Sequence, residues 1–151
     1  MTKNDHPLSQ KEFDDIYSKV PRLTVEVVVT DDKRGVFLTK RAFEPCKGQW
    51  HLPGGTVRFG EPLVGAVKRI AQRELGINVM AANLVGYIEY PSHSENGLDS
   101  PVGIAFEVDS YKENIRSNIE SSDSGWFTKL PAPMHAEQNV FLVTHNYLHE
   151  K

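Results

Sequence analysis

Several things are scarce or missing in this chain, and each narrows what it does. Its 151 residues include one cysteine, Cys46, so no internal disulfide forms, and a reducing compartment fits. Cys46 also has no His or Asp close by in sequence, which reads as an inert thiol. No apolar run approaches a membrane span; the longest are of the VEVVV type. The opening MTKNDHPLSQKEFDD has no apolar core and does not read as a signal peptide, so the expectation is a cytoplasmic protein without membrane attachment. No basic block interrupts a chain of net charge -3, which argues against a nucleic-acid polymer as partner. A pocket for one nucleotide remains open, since that needs only one or two Arg. There is no His-Glu-x-x-His, no G-x-S-x-G and no Walker-type loop.

The length suits one domain over residues 1–151 with one sizeable core. Phe13, Ile16, Tyr17 and Val20 recur at helical spacing over residues 9–20, with Ser9 as cap and Pro21 as break, a short N-terminal helical extension. RLTVEVVVTD and VFLTKRA read as paired strands around the turn DDKRG. WHL is a short strand feeding a loop, PGGTVRFG. Pro62 suits a first helical position, which makes Glu61 the cap of a helix running to Leu75 and stopped by Gly76. INVMAANLVGYIEY is a strand with a break expected at the alanines. PVGIAFEVDS is another, and a short one surrounds Trp126, with loops at PSHSENGLDS and YKENIRSN. HAEQNVFLVTHNYLHE reads as a terminal helix with Val140, Phe141 and Leu148 inward and with His135, His145 and His149 on its surface; His93 reads as a solvated loop residue. The order predicts a three-layer α/β/α domain around a mixed sheet.

The most telling scarcity is of acid in residues 50–79, WHLPGGTVRFGEPLVGAVKRIAQRELGINV. Five residues separate Gly55 from Glu61, seven more precede Arg69, and Glu74 and Gly76 close the unit. Gly54 and Gly55 let backbone approach a ligand, and Glu61 stands at a helix start where negative charge is favoured. Ile70 and Glu74 share a helix face. A backbone carbonyl at the glycines together with the Glu74 carboxylate makes hard oxygen ligands suited to Mg²⁺.

This unit resembles the signature of the Nudix hydrolases, G-x5-E-x7-R-E-U-x-E-E-x-G-U with U bulky and apolar. Gly55, Glu61, Arg69, Glu74, Gly76 and Ile77 match; Ile70 and Arg73 replace two Glu, and Ala71 is small for its apolar place. FLTKRAFEPCKGQWHLPGG, the GWF segment and the last helix also sit where this family has such features. The resemblance implies the Nudix α/β/α sandwich and an Mg²⁺ or Mn²⁺ cofactor. The same two acids are missing in the GDP-mannose mannosyl hydrolase branch, whose closing Ala-Glu-Leu-Gly is similar to RELGI here. That branch attacks the sugar carbon, and the metal assists a diphosphate leaving group, which asks for fewer carboxylates than making hydroxide does.

Residue by residue, the resemblance implies that Gly54 (by its carbonyl), Glu74 and Glu120 hold the metal. It implies Arg41 on the diphosphate, Glu26 and Arg69 at the substrate, and Glu74, Arg41 and Glu120 as the catalytic set. A homodimer is compatible with it. Two positions depart from the branch. Ser121 stands where it has its catalytic His, and Thr56 where it has an Arg, so the base stays open among Glu120, Asp123 and His93. The expected activity is hydrolysis of a nucleoside diphosphate linked to another group, such as GDP-mannose. The alternatives are a conventional pyrophosphohydrolase, and an inactive Nudix domain that binds a nucleotide or a protein.

Overall fold

The computed structural model describes residues 6–112, 114–115 and 121–150. Its elements run α1 (Gln10–Tyr17), β1 (Arg22–Val28), β2 (Thr30–Asp31), β3 (Gly35–Arg41), β4 (Trp50–His51), β5 (Gly54–Thr56), α2 (Leu63–Leu75), β6 (Asn78–Glu89), α3 (Pro91–Glu95), β7 (Pro101–Lys112), β8 (Ser121–Phe127) and α4 (Ala136–Thr144). Ser9 caps α1 in a reciprocal capping box with Glu12. Gly76 ends α2 at φ 71, a left-handed stop that glycine adopts without a Cβ penalty.

One sheet has the order β5-β1-β7-β6; β2, β3 and β4 form the other, with β8 added against β3. Among the described strands only β1 and β7 pair in parallel; the other ladders are antiparallel. β1 is buried over five consecutive residues because both its faces are covered. Val25, Val27 and Val29 join Val67, Ile70 and Leu75 in the core beneath α2. Val28 joins Leu38, Leu52, Phe141 and Leu142 in the core beneath α4. The α/β/α layering around mixed sheets is thus realised. Among the described residues no helix is long and apolar enough to cross a membrane.

Local expectations fail in five places. RLTVEVVVTD does not pair with VFLTKRA along its length: β1 lies between β5 and β7, and only Thr30–Asp31 pairs with β3. PGGT is not wholly loop, because Gly54–Thr56 pairs with β1. Glu61 does not cap α2; Pro62 holds the cap position and no side-chain cap bond forms. Residues 91–95 form a one-turn helix rather than loop. The last helix stops at Thr144, Asn146 turns at φ 62, and Leu148 returns to the core; Val140 faces out at 66% exposure. The break expected at the alanines of β6 appears as register shifts on either side of Ala81.

Candidate active site

Thr24 and Glu26 alternate with the apolar residues of β1, so they emerge on the α4 side of the sheet, where both are buried. They open into a cavity of about 560 Å³ whose walls include Arg41, Gly54, Tyr90 and His93. Phe13 and Tyr17 of α1 form one side of it. Glu26 faces Gly54 across the β1–β5 ladder. A Cβ on Gly54 would lie 2.3 Å from Glu26 Oε2, and one on Gly103 of β7 would lie 2.7 Å from Oε1. Two glycines on neighbouring strands therefore make the slot for this carboxylate.

Hydrogen bonds fix it there. Thr24 Oγ1 donates to Glu26 Oε1 at 2.9 Å. The Leu52 amide donates to Gln138 Oε1 at 2.6 Å, and Gln138 Nε2 donates to the Tyr90 hydroxyl at 3.0 Å. The Tyr90 hydroxyl then turns toward Glu26. Burial outweighs these donors and Arg22, and pushes the Glu26 carboxyl up to about 7. His51, on the same wall, is held down to about 4 by burial and is neutral. Since Gly103 sets the seat of the carboxylate, Gly103→Ala is expected to lower kcat by about 10²-fold through displacement alone. Its thermal unfolding should shift by no more than about 1–3 kcal/mol. Steady-state kinetics paired with melting curves check this; an unchanged kcat removes the positional role of Glu26.

A smaller cavity of about 180 Å³ shares Arg41, Gly54 and Gly55 with the first, and Arg58, Arg69 and Arg73 complete its basic wall. Arg41 Nε donates to the Pro45 carbonyl, which orients its guanidinium at the end of β3. Arg69 binds Glu61 by two bonds of 2.7 and 2.9 Å and the Thr56 carbonyl at 3.0 Å. The Glu61 carboxyl also receives the Arg58 amide at 3.1 Å, and Arg69 is the main reason it ionises below the usual carboxylate range. These two residues of the motif therefore brace the loop, with Arg69 also facing the small cavity. Ile70 explains Gly55: a Cβ there would lie 3.1 Å from Ile70 Cδ1, so the glycine lets α2 pack against β5. Glu74 is 5% exposed and meets Arg73 Nη2 at 3.3 Å.

Glu120 lies outside the described residues. Asp123 is exposed on β8, with its carboxylate on the Ser124 amide. His93 and His135 are not surface groups. Both line the large cavity, and His135 is 7% exposed. They were missed because the contacts that bury them join α3 to the start of α4, 42 residues apart. Gln138 and Tyr90 were missed for the same reason; a buried glutamine leaves no periodicity signal.

The family model "NUDIX domain" matches residues 20–140. The low-salt glycan biosynthesis protein Agl8 of Haloferax volcanii is 35% identical over 115 residues, covering 74% of this chain and 73% of that protein. The ADP-ribose pyrophosphatase of Methanocaldococcus jannaschii is 27% identical over 107 residues, 71% of this chain and 62% of that protein. Human 8-oxo-dGDP phosphatase NUDT18 is 29% identical over 79% of this chain, which spans only 36% of its length. Among solved structures, a MutT NUDIX hydrolase from Burkholderia pseudomallei superposes with TM-score 0.75 at 26% identity, covering 83% of this chain and 98% of that one. The chain belongs to the NUDIX family of hydrolases. Hydrolysis of nucleoside diphosphate derivatives is its class of activity.

Proposed function

We propose that the protein hydrolyses a nucleotide sugar, with GDP-mannose as the model substrate, by displacement at the anomeric carbon. The observation that carries this reading is the pair of joined cavities. One is walled by Arg41, Arg58, Arg69 and Arg73; the other contains a buried carboxyl that desolvation pushes up to about 7. The diphosphate sits against the arginines, whose planar forks match phosphate oxygens. The sugar lies toward Glu26, and the aromatic rings of Phe13 and Tyr17 offer a stacking wall to the base.

In this mechanism Glu26 is the general base. As the water oxygen bonds to the anomeric carbon, its proton passes to Glu26. The carbon–oxygen bond to the diphosphate breaks, and its electron pair leaves with the phosphate. A carboxyl near pH 7 in its ionisation accepts that proton and releases it again. The 35% identity to a protein named for glycan biosynthesis supports a sugar-bearing substrate.

An Mg²⁺ or Mn²⁺ ion held by Glu74, the Gly54 carbonyl and Glu120 belongs to the same proposal. The donor chemistry fits: a carboxylate withdrawn from bulk water and a backbone carbonyl are hard oxygens, with phosphate oxygens and waters left to fill the shell. When bound, the ion neutralises charge on the departing diphosphate. Around it, Arg41 and Arg73 orient the phosphates, and α2 keeps Glu74 out of water.

Hydrolysis of GDP-mannose in ¹⁸O-labelled water is expected to place the label in the released sugar. Mass spectrometry of both products reads it. Label in phosphate instead gives the second reading, a pyrophosphohydrolase, which the 27% identity to an ADP-ribose pyrophosphatase favours.

A further inference from the structure

On the wall of the large cavity three metal-binding side chains arrive from separate segments. Cys46 lies in the loop after β3 at φ 65, His93 on α3, and His135 just before α4. Cys46 Sγ is 4.0 Å from His93 Nε2, and His93 Nε2 is 3.0 Å from His135 Nε2. All three ligand atoms fall within 4.8 Å of one another. The Tyr90 ring packs edge-on against both imidazoles and shields them.

The hydrogen positions also point one way. His93 Nδ1 lies 2.9 Å from Asp99 Oδ1, and Asp99 is bound by Arg22 at 2.7 Å. The carboxylate accepts there, so Nδ1 carries the hydrogen and Nε2 presents its lone pair. With both imidazoles neutral and no cation between them, His135 donates to that lone pair from its own Nε2. Its Nδ1 is then buried with no hydrogen-bond partner, and Glu137 Oε1 is 3.8 Å away. A cation between the two Nε2 atoms removes this conflict. Both nitrogens become ligands, and the His135 hydrogen moves to Nδ1, on the side of Glu137.

We propose that Cys46, His93 and His135 form a Zn²⁺ site with its fourth position open to the cavity. One thiolate and two imidazoles are a borderline-soft set that prefers Zn²⁺ to Mg²⁺. Tetrahedral zinc holds two nitrogens about 3.3 Å apart, and sulfur about 3.6 Å from nitrogen. The distances of 3.0 and 4.0 Å depart from these by a few tenths of an ångström, and the third pair, Cys46 Sγ to His135 Nε2, lies within 4.8 Å, so the Cys46 loop moves inward on binding. The Cys46 thiol loses its proton on binding. Three protein ligands with an open position are the pattern of a zinc that takes water or a substrate oxygen rather than a closed structural knot. Asp99 is the positioning residue behind His93. None of the groups assigned to the diphosphate reaction takes part, so the site stands or falls separately from that reading.

The 151-residue protein, stripped with a chelator, is expected to take up one equivalent of Zn²⁺, read by native mass spectrometry and by competition with a chromogenic chelator. A large excess of Mg²⁺ should not displace it. Co²⁺ in its place should give a thiolate-to-cobalt charge-transfer band and tetrahedral visible bands. Cys46→Ser should abolish the charge-transfer band, and Asp99→Asn should weaken Zn²⁺ binding about 10–100-fold. Failure to bind Zn²⁺, retention of wild-type affinity in Cys46→Ser, displacement by Mg²⁺, or a cobalt spectrum without the thiolate band each overturns the proposal. If circular dichroism shows either variant unfolded, the cobalt spectrum of the unaltered protein decides alone.

Discussion

Glu26→Gln is expected to make the protein more stable at pH 8 while lowering kcat by about 10²–10⁴-fold. Both effects come from one buried group. Glu26 is 6% exposed, and burial is the main cause that raises its carboxyl from 4.5 to about 7. The folded protein thus holds this proton more tightly than the unfolded chain does. Below pH 4.5 both states are protonated, and the group's contribution to stability is fully present. From there to about pH 7 stability falls as pH rises, and above that it levels off, reduced by about 3 kcal/mol. Gln cannot ionise, fits the same slot between Gly54 and Gly103, and escapes that loss. Melting curves should nearly coincide only at about pH 4 and below. At pH 8 the variant should melt higher by roughly 2–4 °C for each kcal/mol gained. Wild-type kcat should rise with pH through about 7, because the base must be ionised, and the residual rate of the variant should not follow that curve. A variant that turns over like wild type would remove Glu26 as the base. One that melts no higher at pH 8 would remove the buried-charge account.

How far this site could be read in the sequence follows from how local each cause is. The α1 cap was legible because Ser9 and Glu12 satisfy each other within one turn. The end of α2 was legible because Gly76 alone supplies its left-handed φ. The layering was legible because strands outnumber helices in an order that leaves helices to cover both sides of a sheet, and β1 is indeed buried over five consecutive residues. Glu26 and Arg41 were singled out by position beside the motif, but the sequence could not say why a carboxylate belongs at 26. That needs Gly54 and Gly103 on its two neighbouring strands, and Gln138 bonded to Leu52 across 86 residues. Glu61 was misread as a cap because an acid before a helix has two uses. Arg69, one helix face away, decided between them by binding it in two places. The histidines were misread because exposure was inferred from polarity, whereas burial at His135 is set by α3 and Tyr90 packing over it.

Glu74→Gln is expected to cost far more in activity than in stability. If Glu74 holds the divalent ion, the amide removes the one described carboxylate of the donor set and with it several kcal/mol of charge stabilisation in the transition state, about 10²-fold or more in kcat. Mn²⁺ affinity, read by electron paramagnetic resonance, should fall in parallel. The stability loss should be modest. Arg73 is 27% exposed and regains water when its partner at 3.3 Å is neutralised, while the amide still accepts a hydrogen bond, so the change should cost on the order of 1–3 kcal/mol. A variant with unchanged Mn²⁺ binding and kcat but a lower melting temperature would make Glu74 only the ion-pair partner of Arg73. The contrast also bears on why the two other helix acids are replaceable. Ile70 closes the α2–β5 contact over Gly55, and Arg73 brings a positive charge to the wall of the smaller cavity. A helix that needs only to draw off leaving-group charge can exchange an acid for a guanidinium, because part of the ion's work is then done by the arginines themselves. A helix that must also make hydroxide from water has no such exchange available.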